Sequence, residues 1–185
     1  MKRLFVAIKI HPSPELLQVY YGLKKDLALE KIKWVEENNF HLTLKFLGST
    51  YTSLMDGIDT ALKNVSLHTR SFEIRMQDPG IFGSRYDPRV IWLGIENNTQ
   101  LAEFANNVLI ELDQVGFPRD RQNFVPHLTI GRMKHIHNKK HLKNVIDEHK
   151  GNLIHQEPVN EFYLYESILT RKGPVYKVLK EYSLT

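Results

Sequence analysis

The chain has 185 residues, no cysteine and a formal net charge of +4. A chain of this length can bury roughly 70% of its unfolded surface, and 42% hydrophobic with 25% charged residues is typical of an ordered globular protein, not a disordered or fibrous one. The absence of cysteine excludes disulfides, thiolate nucleophiles and cysteine-ligated metals. The modest positive charge is compatible with a polyanionic ligand but too low for a nucleic-acid coat protein.

A short apolar strand is predicted from Leu4 to Ile10. Lys9 interrupts the run and His11-Pro12 follows it, so the segment is too short for a signal-peptide core or a membrane span. No other window reaches about 18 apolar residues. We therefore expect a cytoplasmic protein that does not bind membranes.

Two amphipathic helices each follow a short apolar strand. The first begins at Ser13-Pro14, a helix cap with proline at the first helical position. The second follows a strand predicted from Val90 to Ile95. Their apolar positions recur at helical spacing: Leu16, Val19, Tyr20, Leu23 and Leu27 in one, and Leu101, Phe104, Ala105, Val108, Leu112 and Val115 in the other.

Further elements follow two His-Leu-Thr strands, which begin at His41 and His127. They are helices over 53–65 and 138–149, and strands over 72–76, 162–165 and 175–184. The segment from Pro79 to Pro88 is rich in glycine, proline and charge, which predicts a long surface loop.

The chain repeats itself at an offset of 86 residues. This offset carries Arg3 onto Arg89, His41 onto His127 and Thr43 onto Thr129, and the order of elements also matches. We interpret the pattern as an internal duplication, with halves of about 1–88 and 89–185 in a single domain.

The two His-x-Thr triplets are the strongest functional signal. Residues two apart on a strand point to the same face, so each triplet presents an imidazole beside a hydroxyl. With nine histidines and nine threonines, chance predicts only about 0.4 such triplets if residues are placed at random. Each histidine and threonine alone is compatible with an ordinary strand residue, but the pair in register favours function.

Two histidines supply one base and one acid near neutral pH, each worth about 10²- to 10⁴-fold in rate. The threonine hydroxyls can donate to phosphoryl oxygens. Two related strands that meet at a cleft would place His41 and His127 on opposite sides of a phosphorus atom, as an in-line displacement requires. No metal is needed for this arrangement, and the sequence alone does not say which histidine is the acid.

Several other signals are ambiguous. Arg132 can be either a phosphate ligand or a solvated residue at a strand end. Phe46, Tyr86 and Phe124 can stack on a base or belong to the core. The basic, histidine-rich segment 134–141 is compatible with a solvated helix start, a track for RNA phosphates or, least well, a metal site.

The motifs resemble the two-histidine (2H) phosphoesterases, specifically the RNA 2',3'-cyclic phosphodiesterases also called 2'-5' RNA ligases. The resemblance extends over nearly the whole chain. It rests on the stretches Arg3 to Ile8, Trp34-Val35, Phe40 to Gly48, Pro88 to Gly94, Pro126 to Arg132, Tyr163 to Ser167 and Gly173 to Tyr176.

The resemblance implies an α+β, bilobal fold in which two pseudo-symmetric antiparallel sheets, flanked by helices, surround a central cleft. It implies metal-independent hydrolysis of 2',3'-cyclic phosphates on RNA ends or nucleotides to 2'-phosphomonoesters. We also expect the protein to be a monomer and to need no cofactor. It assigns the proton donor to His41, the proton acceptor to His127, and phosphate binding to Thr43 and Thr129. Arg132 is a further candidate for substrate binding because it follows the second motif closely.

Two alternatives remain. One is reversible 2'-5' RNA ligation, the reverse of the same chemistry. The other is a nucleotide- or RNA-binding module that uses the same cleft without turnover. The sequence contains no Gly-x-Ser-x-Gly elbow, no phosphate-binding Gly-x-x-x-x-Gly-Lys loop and no His-Glu-x-x-His helix, so these other hydrolytic and nucleotide-binding chemistries lack support.

Overall fold

Strands and helices alternate along the chain in a computed structural model that describes residues 1–84, 86–96, 98–119, 124–171 and 173–185. The strands are β1 (Lys2–Lys9), β2 (Lys31–Trp34), β3 (His41–Thr50), β4 (Phe72–Gly83), β5 (Pro88–Ile95), β6 (His127–His135), β7 (Leu153–Val159), β8 (Glu161–Thr170) and β9 (Gly173–Ser183). The α-helices are α1 (Pro14–Asp26), α2 (Met55–Leu67), α3 (Thr99–Gln114) and α4 (Lys139–Glu148).

Helix α1 begins where its capping residues predict. The Ser13 hydroxyl accepts a hydrogen bond from the Leu16 N–H at 3.3 Å, and Pro14 occupies the first turn of α1. The Asn98 side chain caps α3 in the same way, by accepting from the N–H groups of Gln100 and Leu101. Among the described residues, no helix is long and apolar enough to cross a membrane.

The strands form two antiparallel sheets, as expected. The four-stranded sheet has the order β3-β1-β8-β9 and contains His41, so we call it the His41 sheet. The five-stranded sheet has the order β2-β6-β5-β4-β7 and contains His127, so we call it the His127 sheet. The sequence halves exchange strands, because β2 and β4 lie in the His127 sheet whereas β8 and β9 lie in the His41 sheet.

The two faces of β1 show where the core lies. Leu4, Val6 and Ile8 point to one face and belong to the main hydrophobic core, which also includes the apolar sides of all four helices. Phe5 and Ala7 point to the other face, where they form a separate small cluster with tyrosines of β8. The second face is therefore the one that can line a cleft.

Both His-x-Thr strands carry an irregularity at the same place. In β3 the register with β1 shifts between the partners of Thr43 and Lys45, so that Leu44 is the extra residue. In β6 the register with β5 shifts between the partners of Thr129 and Gly131, so that Ile130 is the extra residue. These positions are again 86 residues apart. A bulge bends a strand and turns its side chains, and here it follows both motifs directly.

The prediction of a long loop from Pro79 to Pro88 is wrong. Residues up to Gly83 belong to β4 and pair with β5. Proline is tolerated in this strand because it follows a bulge: the register shifts between Gln77 and Pro79, and the extra residue Asp78 has a φ of 39°. The predicted elements also lack β2 and β7, two short strands at the edges of the His127 sheet.

Candidate active site

His41 and His127 each occupy the first position of a strand, β3 and β6 respectively. In both strands the motif histidine and threonine are partly exposed, whereas the residues that alternate with them are buried in the main core. The imidazole and hydroxyl of each motif therefore lie on the face away from the core, as their spacing predicts. The backbones of β3 and β6 also approach each other, which brings the two motifs to the same region.

Each imidazole is fixed by a hydrogen bond to a backbone carbonyl two residues earlier in the chain. His41 Nδ1 lies 2.6 Å from the Asn39 oxygen, and His127 Nδ1 lies 2.7 Å from the Val125 oxygen. A carbonyl can only accept, so Nδ1 must carry the proton in both rings. Nε2 is then the nitrogen that can exchange a proton with a ligand, and it is the same atom in both motifs.

The surroundings lower the pKa of both histidines. Burial is the main cause for each ring, because a partly desolvated site disfavours the imidazolium form. The positive charge of Arg132 lowers both pKa values further, and that of His127 also lowers the pKa of His41. The hydrogen bonds to the backbone carbonyls oppose these shifts. A protonated His127 thus disfavours protonation of His41.

Aromatic rings surround both imidazoles, but they come from different strands. His41 contacts Phe5 of β1 and Tyr176 of β9, each with ring centroids 5.1 Å apart. His127 contacts Phe82 of β4 at 4.7 Å and Trp92 of β5 at 6.3 Å. Each sheet thus supplies the rings that pack against its own histidine.

Arg132 lies close enough to influence three groups at this place. Its charge acts on His41, on His127 and on Tyr176, although burial raises the pKa of that tyrosine. The Arg132 side chain is exposed and lies within β6, three residues after Thr129. A positive charge next to two imidazoles can attract an anion such as a phosphodiester.

Thr43 and Thr129 lie beside the histidines of their own strands and are partly exposed. Within the described part of the chain, neither hydroxyl has a hydrogen-bond partner inside the protein. Both can therefore donate to a ligand oxygen. The structure places His41, His127 and Arg132 close enough for their charges to interact, and Thr43 and Thr129 follow the histidines two residues later on the same strands.

The weaker sequence signals are resolved only in part. Phe46 and Tyr86 are exposed, at 62% and 69%, whereas Phe124 packs on the core. The basic segment 134–141 spans the end of β6 and the start of α4. Among the described residues, no group of three or more histidines and carboxylates could hold a metal ion.

Sequence reasoning gave no role to the aromatic residues around the imidazoles. Phe5 and Trp92 alternate with core residues on strands next to the motif strands, so the pattern was sufficient to predict that they face the cleft. Phe82 was hidden because it lies in the segment predicted to be a loop. Tyr176 comes from the last strand, and only the strand order shows that β9 lies in the sheet of His41.

Comparisons with known proteins identify relatives over the full length of the chain. The RNA 2',3'-cyclic phosphodiesterase of Methanocaldococcus jannaschii is 36% identical over 181 residues, which cover 97% of this chain and 99% of the relative. The protein of the same name from Aquifex aeolicus is 31% identical and covers 100% of this chain and 99% of its own length. Both matches span the positions of the two motifs and of the strands around them.

A solved structure has the same fold. The crystal structure of E. coli LigT complexed with 3'-AMP has a TM-score of 0.79, is 25% identical, and covers 100% of this chain and 98% of its own. The family described as "LigT like Phosphoesterase" matches residues 8–92 and again residues 93–176, so each half of the repeat matches by itself. The resemblance inferred from the motifs is confirmed, and the chain belongs to the LigT-like phosphoesterases.

Proposed function

We propose that this protein hydrolyses 2',3'-cyclic phosphates at RNA ends or on nucleotides to 2'-phosphomonoesters, by acid-base catalysis with its two motif histidines. The observation that carries the proposal is the matched pair of hydrogen bonds from Nδ1 of His41 and His127 to backbone carbonyls. They leave two equivalent Nε2 atoms for proton transfer. Relatives named RNA 2',3'-cyclic phosphodiesterase support the choice of substrate.

The proposed step is an in-line displacement at phosphorus. The neutral His127 takes a proton from water through Nε2, and the water oxygen forms the new P–O bond. The P–O3' bond opposite breaks, and protonated His41 gives its Nε2 proton to the departing 3' oxygen. The product carries a 2'-phosphate and a 3'-hydroxyl, and the two rings have exchanged their protonation states.

The remaining residues stabilise charge on the phosphate. Hydroxyls of Thr43 and Thr129 donate to the non-bridging oxygens, which are more negative in the transition state than in the ground state. The guanidinium of Arg132 offsets the charge of the anion, which otherwise enters a partly buried site. Because the two histidines supply both acid and base, the proposed step uses no metal ion.

Ligation follows from the same groups. If the 5'-hydroxyl of another RNA replaces water as the nucleophile, one phosphodiester is exchanged for another and the same rings transfer the protons. We propose that this site reversibly joins 5'-hydroxyl ends to 2',3'-cyclic ends through a 2'-5' linkage. Hydrolysis prevails in dilute RNA because water is in excess.

Phosphorus NMR of a 2',3'-cyclic nucleotide incubated with the protein and EDTA tests the proposal. We expect the cyclic phosphate signal to be replaced by that of a 2'-phosphomonoester. A folded protein that binds the nucleotide but leaves it intact would support the non-catalytic binding module instead. A 3'-phosphate product would keep hydrolysis but contradict the assignment of O3' as the leaving oxygen. Loss of activity in EDTA that Mg²⁺ or Zn²⁺ restores would contradict metal independence.

A further inference from the structure

A second concave region adjoins Arg132 at the end of the His127 sheet. It has a volume of about 560 Å³ and is formed by the β4–β5 turn, the end of β6 and the start of α4. Four of the side chains that line it are cationic, namely Arg89, Arg132, Lys134 and Lys139. We call this region the basic pocket.

Most of the positive charge in the basic pocket is not neutralised. Asp87 is the carboxylate among the lining residues, and it pairs with Arg89, with Nη2 and Oδ2 2.8 Å apart. Lys139 Nζ donates to the Tyr86 carbonyl at 2.6 Å, which is a hydrogen bond without charge compensation. Within the described residues, neither Lys134 nor Lys139 forms an ion pair with a carboxylate.

Strand pairing adds to this excess of charge. Lys33 of β2 lies directly opposite Arg132 of β6, and Lys31 of β2 pairs with His135. Like charges directly opposite each other destabilise a pair of antiparallel strands. Neither Lys31 nor Lys33 lines the basic pocket, but both add positive charge to the strand next to β6.

The His41 sheet provides an internal control for this charge. The offset of 86 residues places Phe46 at the position of Arg132 and Gly48 at that of Lys134. Phe46 pairs with Phe5, so the equivalent strand end is aromatic where the His127 sheet is basic. The duplication preserves one cation, because it carries Arg3 onto Arg89, but Arg132 and Lys134 have no cationic counterpart in β3.

The pocket and the proposed active site share Arg132. Lys134 is the extra residue of a second bulge in β6, between Met133 and His135, and it lines the pocket together with Arg132. Lys139 continues the positive surface onto α4. The cations thus form a path that leads from the site of the cyclic phosphate toward one end of the sheet.

We propose that the basic pocket binds the backbone phosphates of the RNA nucleotides that precede the terminal cyclic phosphate. This inference rests on the proposed function, because it takes the cleft as the site of the cyclic end. It makes an RNA chain of several nucleotides a better substrate than a cyclic mononucleotide, which leaves the pocket empty. Since the contacts are to phosphates, the preference is for chain length and not for base sequence.

The test compares one substrate that reaches the pocket with one that does not. Steady-state rates are measured for a 2',3'-cyclic mononucleotide and for a hexanucleotide with a 2',3'-cyclic phosphate end, at several salt concentrations. For the variant Lys134→Gln/Lys139→Gln we expect KM for the hexanucleotide to rise about tenfold at low salt. The slope of log kcat/KM against log salt should become shallower by about 0.7 for each lysine removed. Rates with the mononucleotide should not change.

A matched variant controls for the lost net charge. Lys25 and Lys143 are exposed lysines of α1 and α4 that do not line the pocket, so Lys25→Gln/Lys143→Gln removes the same charge elsewhere. It should leave both substrates unaffected. If the pocket variant and this control raise KM for the hexanucleotide equally, only the net charge matters and the inference is wrong. It is also wrong if the pocket variant weakens both substrates alike.

Binding distinguishes failure of this inference from failure of the proposed function. Fluorescence anisotropy with a hexanucleotide that ends in a 3'-phosphate needs no turnover. If the protein hydrolyses neither cyclic substrate but still loses about tenfold in affinity on Lys134→Gln/Lys139→Gln, the proposed function fails and the basic pocket stands. Equal affinity of the wild type and this variant overturns the pocket, whatever the enzyme hydrolyses.

Discussion

His41 and His127 begin equivalent strands, hold their Nδ1 protons against equivalent carbonyls and are followed by bulges at equivalent positions. Their surroundings are nevertheless different. His41 lies between Phe5 and Tyr176, and His127 between Phe82 and Trp92. The duplication preserved the backbone that aims each ring, whereas the side chains that pack around the rings diverged. In the proposed mechanism, the different roles of the two motifs arise from such differences between their neighbours.

The equivalent residues of β3 and β6 become less alike with increasing distance from the histidines. In β3 the residue after the bulge is Lys45, which is buried and donates to the Pro118 carbonyl at 2.7 Å. In β6 the equivalent residue is Gly131, which packs against Trp34. The next residue is an aromatic side chain in β3 and Arg132 in β6. One side of the cleft thus carries the positive charge that acts on both imidazoles.

Removing either Nε2 is expected to have the largest effect. Asparagine keeps a donor near the position of Nδ1 but has no Nε2, so His41→Asn and His127→Asn should each reduce kcat for a 2',3'-cyclic nucleotide by about 10²- to 10⁴-fold. His68→Asn is the matched control, because His68 is exposed and its Nδ1 also lies close to a backbone carbonyl, that of Asn64 at 2.8 Å. It should retain full activity.

A substrate with a better leaving group should distinguish the two histidine variants. A nitrophenyl phosphodiester needs no general acid, so its hydrolysis should be nearly normal in His41→Asn and remain slow in His127→Asn. The opposite pattern would reverse the donor and acceptor roles. Equal rescue of both variants would contradict separate roles for the two sides of the cleft.

The pH profile of kcat/KM tests whether the reaction needs one protonated and one neutral histidine. Both pKa values are lowered from 6.5, so in the free protein the singly protonated pair is populated mainly below that value. We expect kcat/KM to fall about tenfold per pH unit from pH 7 to 9. A bound phosphate anion raises both pKa values, so the basic limb of the kcat profile should lie at higher pH than that of kcat/KM. A kcat/KM that stays constant or rises from pH 7 to 9 would contradict paired acid-base catalysis.

The threonines test whether both sides of the cleft hold the phosphate equally. Thr43→Val and Thr129→Val remove a hydroxyl with little change in shape, and each should lower kcat/KM about tenfold if the hydroxyl donates to a charged oxygen. The serine variants at the same positions keep the hydroxyl and should recover most of the activity. A loss confined to one side would show that a single threonine binds the phosphate. Rates of the valine and serine variants with a 2',3'-cyclic nucleotide decide this.

The sequence was sufficient for the parts of the site that are local. The spacing of His41 and Thr43 determines that both side chains share a face, and the offset of 86 residues predicts that the same holds for His127 and Thr129. Helix caps at Ser13 and other positions also depend on neighbouring residues alone. Each of these features involves residues only a few positions apart, so no knowledge of the tertiary structure is needed to predict them.

Features that depend on strand order could not be predicted from local sequence patterns. Tyr176 reaches His41 because β9 follows β8 in a sheet that also contains β1, and periodicity does not determine this order. The Pro79 to Pro88 segment was predicted as a loop from its glycine and proline content, but a bulge at Asp78 accommodates the proline and Gly80 is required by a side chain on the next strand. The glycine and proline content therefore led to a wrong prediction, because tertiary packing is the reason why these residues occur in β4.

Gly80 gives the last and smallest of the expected effects. It pairs with Trp92 across β4 and β5, and a Cβ there would lie 2.3 Å from Cζ2 of the indole. Trp92 must move in Gly80→Ala, so we expect the free energy of unfolding to fall by about 1 to 3 kcal/mol. Because the indole ring packs near His127, we also expect kcat to fall several-fold.

Gly48→Ala on the other side of the cleft is the matched control. Gly48 has a φ of +69°, and no atom lies within 4 Å of the place that an alanine Cβ would take, so alanine there strains the backbone by about 1 to 2 kcal/mol without displacing a ring. Thermal unfolding should report a similar loss of stability for both variants, whereas only Gly80→Ala should change the NMR titration of His127. If the two variants lose activity equally, stability and not the position of Trp92 limits catalysis, and the aromatic rings have no part in the difference between the two histidines.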